Sequence, residues 1–521
     1  MHSQIKFLTI PILIMFATIG ISVFRGAYHL DPLHWALMFS NAQDLVAHKK
    51  PYEEIFIQYG ILTTLIHSLA FIIKSSLISI IFITALFYFI GIFILFKISI
   101  KILPDFDNSI KLILIIFLFH PIVIYPWSNY IAFPFLLGGL YLLIFSKAKL
   151  DLLSSGILFG LSALARENLF ITIIPGIISI QLMSWYCGQE KIFSTLEKTL
   201  IIICGALIPV SIFIFWLIYS DLFHYWLLFS IELPKLYSQT FFPHMRGLNI
   251  LGPLYKAVYS GVINLDFRWI LVIIILIVNI YFCILFIFKS KKVTPNLVKL
   301  SAFSLLLFSS ALHSPEIFRI ATGSIVGLIP VFYFLTKKNS LNLFFWFFCL
   351  VLSITFIWRN SSLMYFPTLE SIFNSQKVFI SEYFEGQRWN IKKINYYDEI
   401  LRSFGEIKSL KNCQINYQYN DTGDGFIKVL SPFVQRQMAP WQLNPEFSAL
   451  RPDLQLSLAD NGLIDTLFIM VAPPNDRPLI LKKIPNNYYL YKTILIPDIY
   501  YLPGGQEMLF ILPKACEIKA Q

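Results

Sequence analysis

Over its first 358 residues the chain alternates long apolar runs with short polar breaks, the pattern of helices that cross roughly 30 Å of hydrocarbon. About eleven such runs can be marked. They are Ile5–Phe24, Ser76–Ile98, Ile110–Pro126, Tyr130–Ser146, Leu152–Ala165, Leu169–Trp185, Thr199–Tyr219, Trp269–Phe288, Val298–Leu312, Ile317–Leu335 and Leu341–Trp358. No small-x-small cleavage site follows the first, so it reads as a retained helix rather than a leader. Beyond Trp358 the pattern changes: Asn, Asp, Pro and Tyr become frequent, and no run could span a bilayer. Leu467–Ala472, Tyr488–Ile496 and Met508–Leu512 read as strands between turns, and Phe379–Phe404 reads as helical. The expected fold class is mainly α. A polytopic transmembrane bundle at 1–358 is followed by a soluble, extracytoplasmic α+β domain at 359–521.

Composition agrees with that division. The chain is 57% hydrophobic and 14% charged, with a mean hydropathy of +0.68, more apolar surface than a soluble core needs. Its net charge of +11 is set by topology rather than by a nucleic-acid partner, since no basic face interleaved with aromatics and no zinc-finger spacing occurs. With the N-terminus cytoplasmic, the inner turns carry Lys97, Lys101, Lys111, Lys147, Lys149, Lys191, Lys198, Lys289, Lys299 and Lys337, as the positive-inside rule requires. Arg25, Arg166, Arg246, Arg268, Arg319 and Arg359 fall at the other edge. A planar guanidinium suits bidentate grip on phosphate. A multi-pass protein of the inner (plasma) membrane is expected, with the C-terminal part outside. There Cys413 and Cys516 could pair in an oxidising compartment. None of the six cysteines has metal-ligand spacing, and no phosphate-cradling glycine motif or nucleophile elbow is present.

The chemistry gathers at the arginine edge. Asp31 follows the first helix and precedes Pro32, so it either caps a short interfacial helix or serves as a general base, and the two roles are compatible. Glu53 and Glu54 precede Ile-Phe-Ile and Gln58-Tyr59-Gly60, a setting that should turn one of them inward. Arg166-Glu167-Asn168 breaks two apolar runs; it is either an exposed turn with a weak local ion pair or a phosphate-binding arginine held by its neighbour. His313-Ser314-Pro315-Glu316 with Arg319 forms a comparable turn.

Taken in order, these pieces resemble the GT-C superfamily of polytopic glycosyltransferases, in particular bacterial relatives of the family-39 mannosyltransferases and aminoarabinose transferases. The resemblance is carried by Asp31-Pro-Leu-His34, by Pro51-Tyr52-Glu53-Glu54-Ile-Phe-Ile-Gln58-Tyr59-Gly60, by Gly160-Leu-Ser-Ala-Leu-Ala-Arg166-Glu167, and by Glu316-Ile-Phe-Arg319 leading towards Pro330. It covers roughly Ile5 to Trp358; the later residues resemble no soluble module. It implies inverting transfer from a polyprenyl-phosphate sugar to an extracytoplasmic glycolipid, polysaccharide or protein acceptor. Asp31 would be the catalytic base, and Arg166 and Arg319 would bind the donor phosphate. Glu54 would orient the acceptor or Asp31, or share a divalent cation, a role less secure for Glu than for the family's usual Asp. His34, Tyr59, Glu167 and His313 would contact substrate. The rival classes are a transporter or flippase of lipid-linked sugars, which expects ionisable groups near the bilayer midplane, an O-antigen ligase or polymerase, and a non-enzymatic scaffold.

Overall fold

Inside hydrocarbon a backbone must satisfy its own hydrogen bonds, so the apolar runs can only be helices. In the computed structural model they are. It describes residues 2–32, 34–57, 59–119, 126–233, 235, 251–289, 294–311, 317–358, 372–410, 413–422, 424–435, 465–472, 477–482, 484, 486–497 and 505–516. The helices are α1 (His2–Tyr28), α2 (His34–Val46), α3 (Ile61–Ile73), α4 (Leu77–Ile102), α5 (Phe106–Phe119), α6 (Ser128–Phe145), α7 (Lys149–Ala165), α8 (Phe170–Tyr186) and α9 (Ile192–Tyr219). They continue with α10 (Phe223–Leu227), α11 (Leu251–Ile263), α12 (Arg268–Lys289), α13 (Pro295–Ser309), α14 (Ile317–Ser324), α15 (Leu328–Lys337) and α16 (Leu341–Trp358). Among the described residues five helical segments are long and apolar enough to cross a membrane: α4, α6, Glu167–Tyr186 (a 3-10 turn running into α8), α9 and Arg268–Phe288 within α12; several shorter apolar helices accompany them.

Most boundaries fall within a few residues of those read from the pattern. One expected run, Ile317–Leu335, is instead two helices joined by a 3-10 turn at Ile325–Gly327. The joint is seated against α12 and α13. A Cβ on Gly327 would lie 2.4 Å from Ser304 Oγ and 2.6 Å from Asn279 Nδ2, and Asn279 donates to the Gly327 carbonyl at 3.0 Å.

The bundle has chemically distinct ends. Helix α6 starts at Ser128, which bonds Arg166, and finishes at Phe145, whose ring lies under Lys101. At that second end Lys149 pairs with Glu197, Lys111 donates to Asn342 and Lys299 to Gln189. The lysine turns therefore meet at one end, while Asp31, Arg166 and Arg319 meet at the other.

The C-terminal segment contains α17 (Ile391–Lys408), α18 (Gly425–Leu430), α19 (Arg477–Lys482) and two sheets. A small pair, β1 (Gln376–Lys377) with β2 (Arg388–Trp389), is antiparallel. Five strands follow: β3 (Tyr417–Asp421), β4 (Val434–Gln435), β5 (Thr466–Ala472), β6 (Tyr488–Leu495) and β7 (Glu507–Pro513), ordered β4-β3-β5-β7-β6. β3 runs parallel to β4 and β5, and β7 antiparallel to β5 and β6. The three strands expected from the pattern are β5, β6 and β7. The helix expected over Phe379–Phe404 begins only at Ile391, where Asn390 caps it by accepting from the Lys393 N–H at 2.9 Å.

This segment does not bury its apolar surface alone. One continuous core contains Leu30, Trp35, Phe39 and Leu77 together with Phe384, Trp389, Tyr397 and Phe426. Gln387, itself buried, donates to the Gly26 carbonyl at 2.7 Å. Cys413 and Cys516 form a disulfide with Cα atoms 4.4 Å apart, closing a loop of sequence separation 103. In a chain-entropy account a loop of that size restrains the unfolded state by about 4–5 kcal/mol. Cys413→Ser with Cys516→Ser is therefore expected to lower the thermal midpoint of the purified protein by several degrees, read by differential scanning fluorimetry with and without reductant. Reductant should leave the double variant unchanged.

Candidate active site

Three short segments build the site at the arginine end. In the first, α1 stops at Tyr28 and the chain turns through Asp31 into α2. Asp31 is 2% exposed. Its Oδ1 accepts from the His34 backbone N–H at 2.8 Å, the cap expected from spacing. Its Oδ2 lies 3.0 Å from His34 Nδ1. Cap and charged partner are thus the same residue.

The second segment reverses at Tyr52, in the left-handed region at φ 66°, with its N–H donating to the Ile55 carbonyl at 3.0 Å. The reversal buries the Tyr52 side chain completely and turns both glutamates out. Glu53 pairs with Lys50 at 2.9 Å. Glu54 is exposed, and its carboxylate accepts from the Lys50 N–H at 2.7 Å. The inward glutamate expected from sequence is replaced by tyrosine. Among the described residues no three His, Cys, Asp or Glu side chains form a metal-holding group. The segment closes at Gly60, φ 103°, where a Cβ would stand 2.5 Å from the Leu164 carbonyl oxygen. Only glycine permits that approach. Thr63 Oγ1 then donates to the Ala165 carbonyl at 2.8 Å, seating the loop on the end of α7.

The third segment begins at that point. Arg166 is 8% exposed; its Nε donates to Asn168 Oδ1 at 2.8 Å and its Nη1 to Ser128 Oγ at 3.1 Å. Glu167 does not hold it. That carboxylate faces the other way and accepts from Trp226 Nε1 at 3.2 Å and Tyr52 Oη at 3.4 Å, which corrects the expected Arg166–Glu167 pairing and makes Glu167 an anchor between the Tyr52 loop and α10. Arg166 and Arg319 line one recess of about 30 Å³ with Asn129, Leu307, Ser310 and Thr322. Burial and the neighbouring charge of Arg319 both work against the charged form of Arg166, a strain that a bound anion would relieve. Arg268, by contrast, is committed to a buried bidentate pair with Asp266 at 2.7 Å. His313 and Glu316 lie outside the described residues.

Trp127, which pattern reading left in a break between two apolar runs, joins these parts. Its indole is 4.7 Å from the Tyr59 ring and 5.0 Å from the His34 ring, centroid to centroid, and the Arg319 guanidinium sits 5.6 Å over it. The available signal was an aromatic residue beside Ser128-Asn129 at the arginine edge.

The C-terminal segment braces the first of the three. The Gly425 N–H donates to the Pro32 carbonyl at 2.8 Å. Gly425 is presented by Asp424, which caps α18 through the Phe426 N–H at 2.9 Å and accepts from Tyr397 Oη at 2.9 Å and Tyr396 Oη at 3.3 Å. Burial raises the Asp424 carboxyl from the usual 3.8 to about 7, against the opposing pull of these hydrogen bonds. Because the folded value lies above the unfolded one, this group favours folding fully below about pH 4, and that contribution is lost as pH rises through about 7. Asp424→Asn, which keeps a capping oxygen, is expected to flatten the fall in thermal midpoint between those pH values, read by scanning fluorimetry across a pH series.

No protein-family model and no curated protein matches the sequence. Solved structures do match by fold. One is described as ArnT from Cupriavidus metallidurans in the apo state, with a TM-score of 0.53. Another is the same protein bound to undecaprenyl phosphate, with a TM-score of 0.52. Each is 8% identical and covers 98% of this chain and 98% of that chain. At that identity the likeness concerns the fold: the chain has the GT-C-like polytopic membrane fold that the sequence resemblance implied.

Proposed function

We propose that this protein moves a sugar from a polyprenyl-phosphate donor to an extracytoplasmic acceptor, with inversion at the sugar carbon. The observation that carries the reading is the joining of two opposite chemistries by one side chain: the Asp31–His34 pair and Arg319, with Arg166 across its recess, meet around Trp127. A lipid-linked phosphate is already a good leaving group, so its departure needs charge stabilisation more than protonation. One basic group for the acceptor is then enough, unlike the paired carboxylates of a glycosidase. Arg166 and Arg319 are assigned to the phosphate, and the Asp31–His34 pair to the acceptor. Tyr59 is assigned to the wall between them, and Glu54 to the rim.

The undecaprenyl phosphate bound in the ArnT structure supports the donor class. Orientation is supported by the lysine and arginine ends of the bundle and by the Cys413–Cys516 disulfide, which favours an oxidising compartment for residues 359–521 as a soluble unit. A flippase would place its ionisable groups midway along the helices; here the grouped ones stand at a helix end. The test compares surface glycans of a deletion strain with those of wild type by mass spectrometry. Loss of one sugar residue, restored by the wild-type protein on a plasmid, is the expected result. Identical glycans would remove the reading.

A further inference from the structure

We infer that His34, rather than Asp31, takes the acceptor's proton, with Asp31 as the group that orients and stabilises it. The inference rests on the glycosyl-transfer reading above. Both oxygens of Asp31 are already engaged, Oδ1 by the His34 backbone N–H and Oδ2 by His34 Nδ1. The two side chains differ in access: that of Asp31 is 3% exposed and that of His34 is 26% exposed. The imidazole is therefore the more accessible of the two to an incoming hydroxyl.

The ring's two nitrogens are distinct. With Nδ1 directed at the carboxylate, the tautomer that donates from Nδ1 leaves its lone pair on Nε2, the nitrogen turned away from Asp31. A carboxylate behind an imidazole both selects that tautomer and stabilises the cation formed when Nε2 is protonated. The ring also packs on Trp127, which carries the Arg319 guanidinium on its own face. The proton acceptor and one phosphate-side cation therefore share an immediate neighbour.

The step balances as follows. The acceptor oxygen forms a bond to the sugar's anomeric carbon as the bond from that carbon to the phosphate oxygen breaks. The electron pair of the broken bond leaves with the polyprenyl phosphate, beside Arg166 and Arg319. The hydroxyl proton passes to His34 Nε2 and is later released to water.

The experiment adds purified full-length wild type, His34→Ala, His34→Gln and Asp31→Asn to detergent-solubilised membranes of the deletion strain, which hold unused donor and unmodified acceptor. Initial rates are read from the mass gained by the acceptor. Thermal stabilisation by undecaprenyl phosphate is measured on every variant as a check that the anion side is intact. We expect His34→Ala and His34→Gln to lose on the order of 10³-fold in rate, within the range of general-base catalysis, while keeping the stabilisation. Free imidazole should restore at least tenfold to His34→Ala and nothing to Asp31→Asn. Retention of rate within a factor of ten in His34→Gln, with Asp31→Asn inactive, would overturn the assignment and leave Asp31 as the base. Loss without imidazole rescue would also overturn it, reducing His34 to a positioning residue. A wild type that adds no mass would instead remove the glycosyl-transfer reading itself.

Discussion

Asp31→Asn is expected to slow sugar transfer by about two to three orders of magnitude, no more than the loss of His34 itself, while the protein stays folded. Asparagine is as good a helix N-cap as aspartate, so the bond from the His34 N–H to residue 31 survives and α2 still starts where it does. What is lost is the negative charge 3.0 Å from His34 Nδ1. An amide cannot stabilise an imidazolium, and by offering its own N–H it favours the wrong tautomer. Because the carboxylate acts through the imidazole, its loss is bounded by the loss on the order of 10³-fold expected for His34→Ala. Asp31→Ala removes the cap as well and should add roughly 1 kcal/mol of destabilisation. The pair of variants separates the two roles of one carboxylate: equal rates with unequal thermal midpoints are expected. Full activity in the asparagine variant would show that this charge takes no part.

The second large effect belongs to the two arginines. Arg166→Ala and Arg319→Ala should each lower the rate by about 10²–10³, the usual cost of removing one preorganised donor from a developing anion. Both should weaken stabilisation by undecaprenyl phosphate, which none of the His34 variants should do. Arg166→Lys is expected to fare little better than alanine. Its single ammonium cannot reproduce a planar fork that bonds Asn168 with one nitrogen and Ser128 with another. The double variant should fall short of the product of the two losses, because both cations line one recess and serve one charge. Rate and undecaprenyl phosphate stabilisation, measured together on the four variants, check this. Unchanged stabilisation in both alanine variants would place the phosphate elsewhere.

The assignments that came through best from sequence were those in which a residue's environment is its own neighbourhood. Asp31 before Pro32 predicted a cap, and the cap is there. The edge that held Arg166 and Arg319 in the sequence became one recess. The errors came where neighbours were guessed from adjacency. Arg166 and Glu167 are consecutive, yet the helix end turns them apart, and Glu167 finds Tyr52 and Trp226 instead. Glu53 and Glu54 lost the inward place to Tyr52 because an aromatic ring is cheaper to bury there than an unpaired carboxylate.

The one-dimensional pattern was enough to determine a membrane bundle, its lysine and arginine ends, and a C-terminal part with strands. Those follow from the cost of placing polar backbone and charge in hydrocarbon, which each segment meets or fails by itself. Three things needed the folded chain. Trp127 became the meeting point of His34, Tyr59 and Arg319; Gly425 reached the Pro32 carbonyl across nearly four hundred residues of sequence; and Glu167 joined Tyr52 and Trp226. Each is a contact between segments whose separation in sequence carries no record of their approach, and only packing of the helices and sheet brings them within bonding distance.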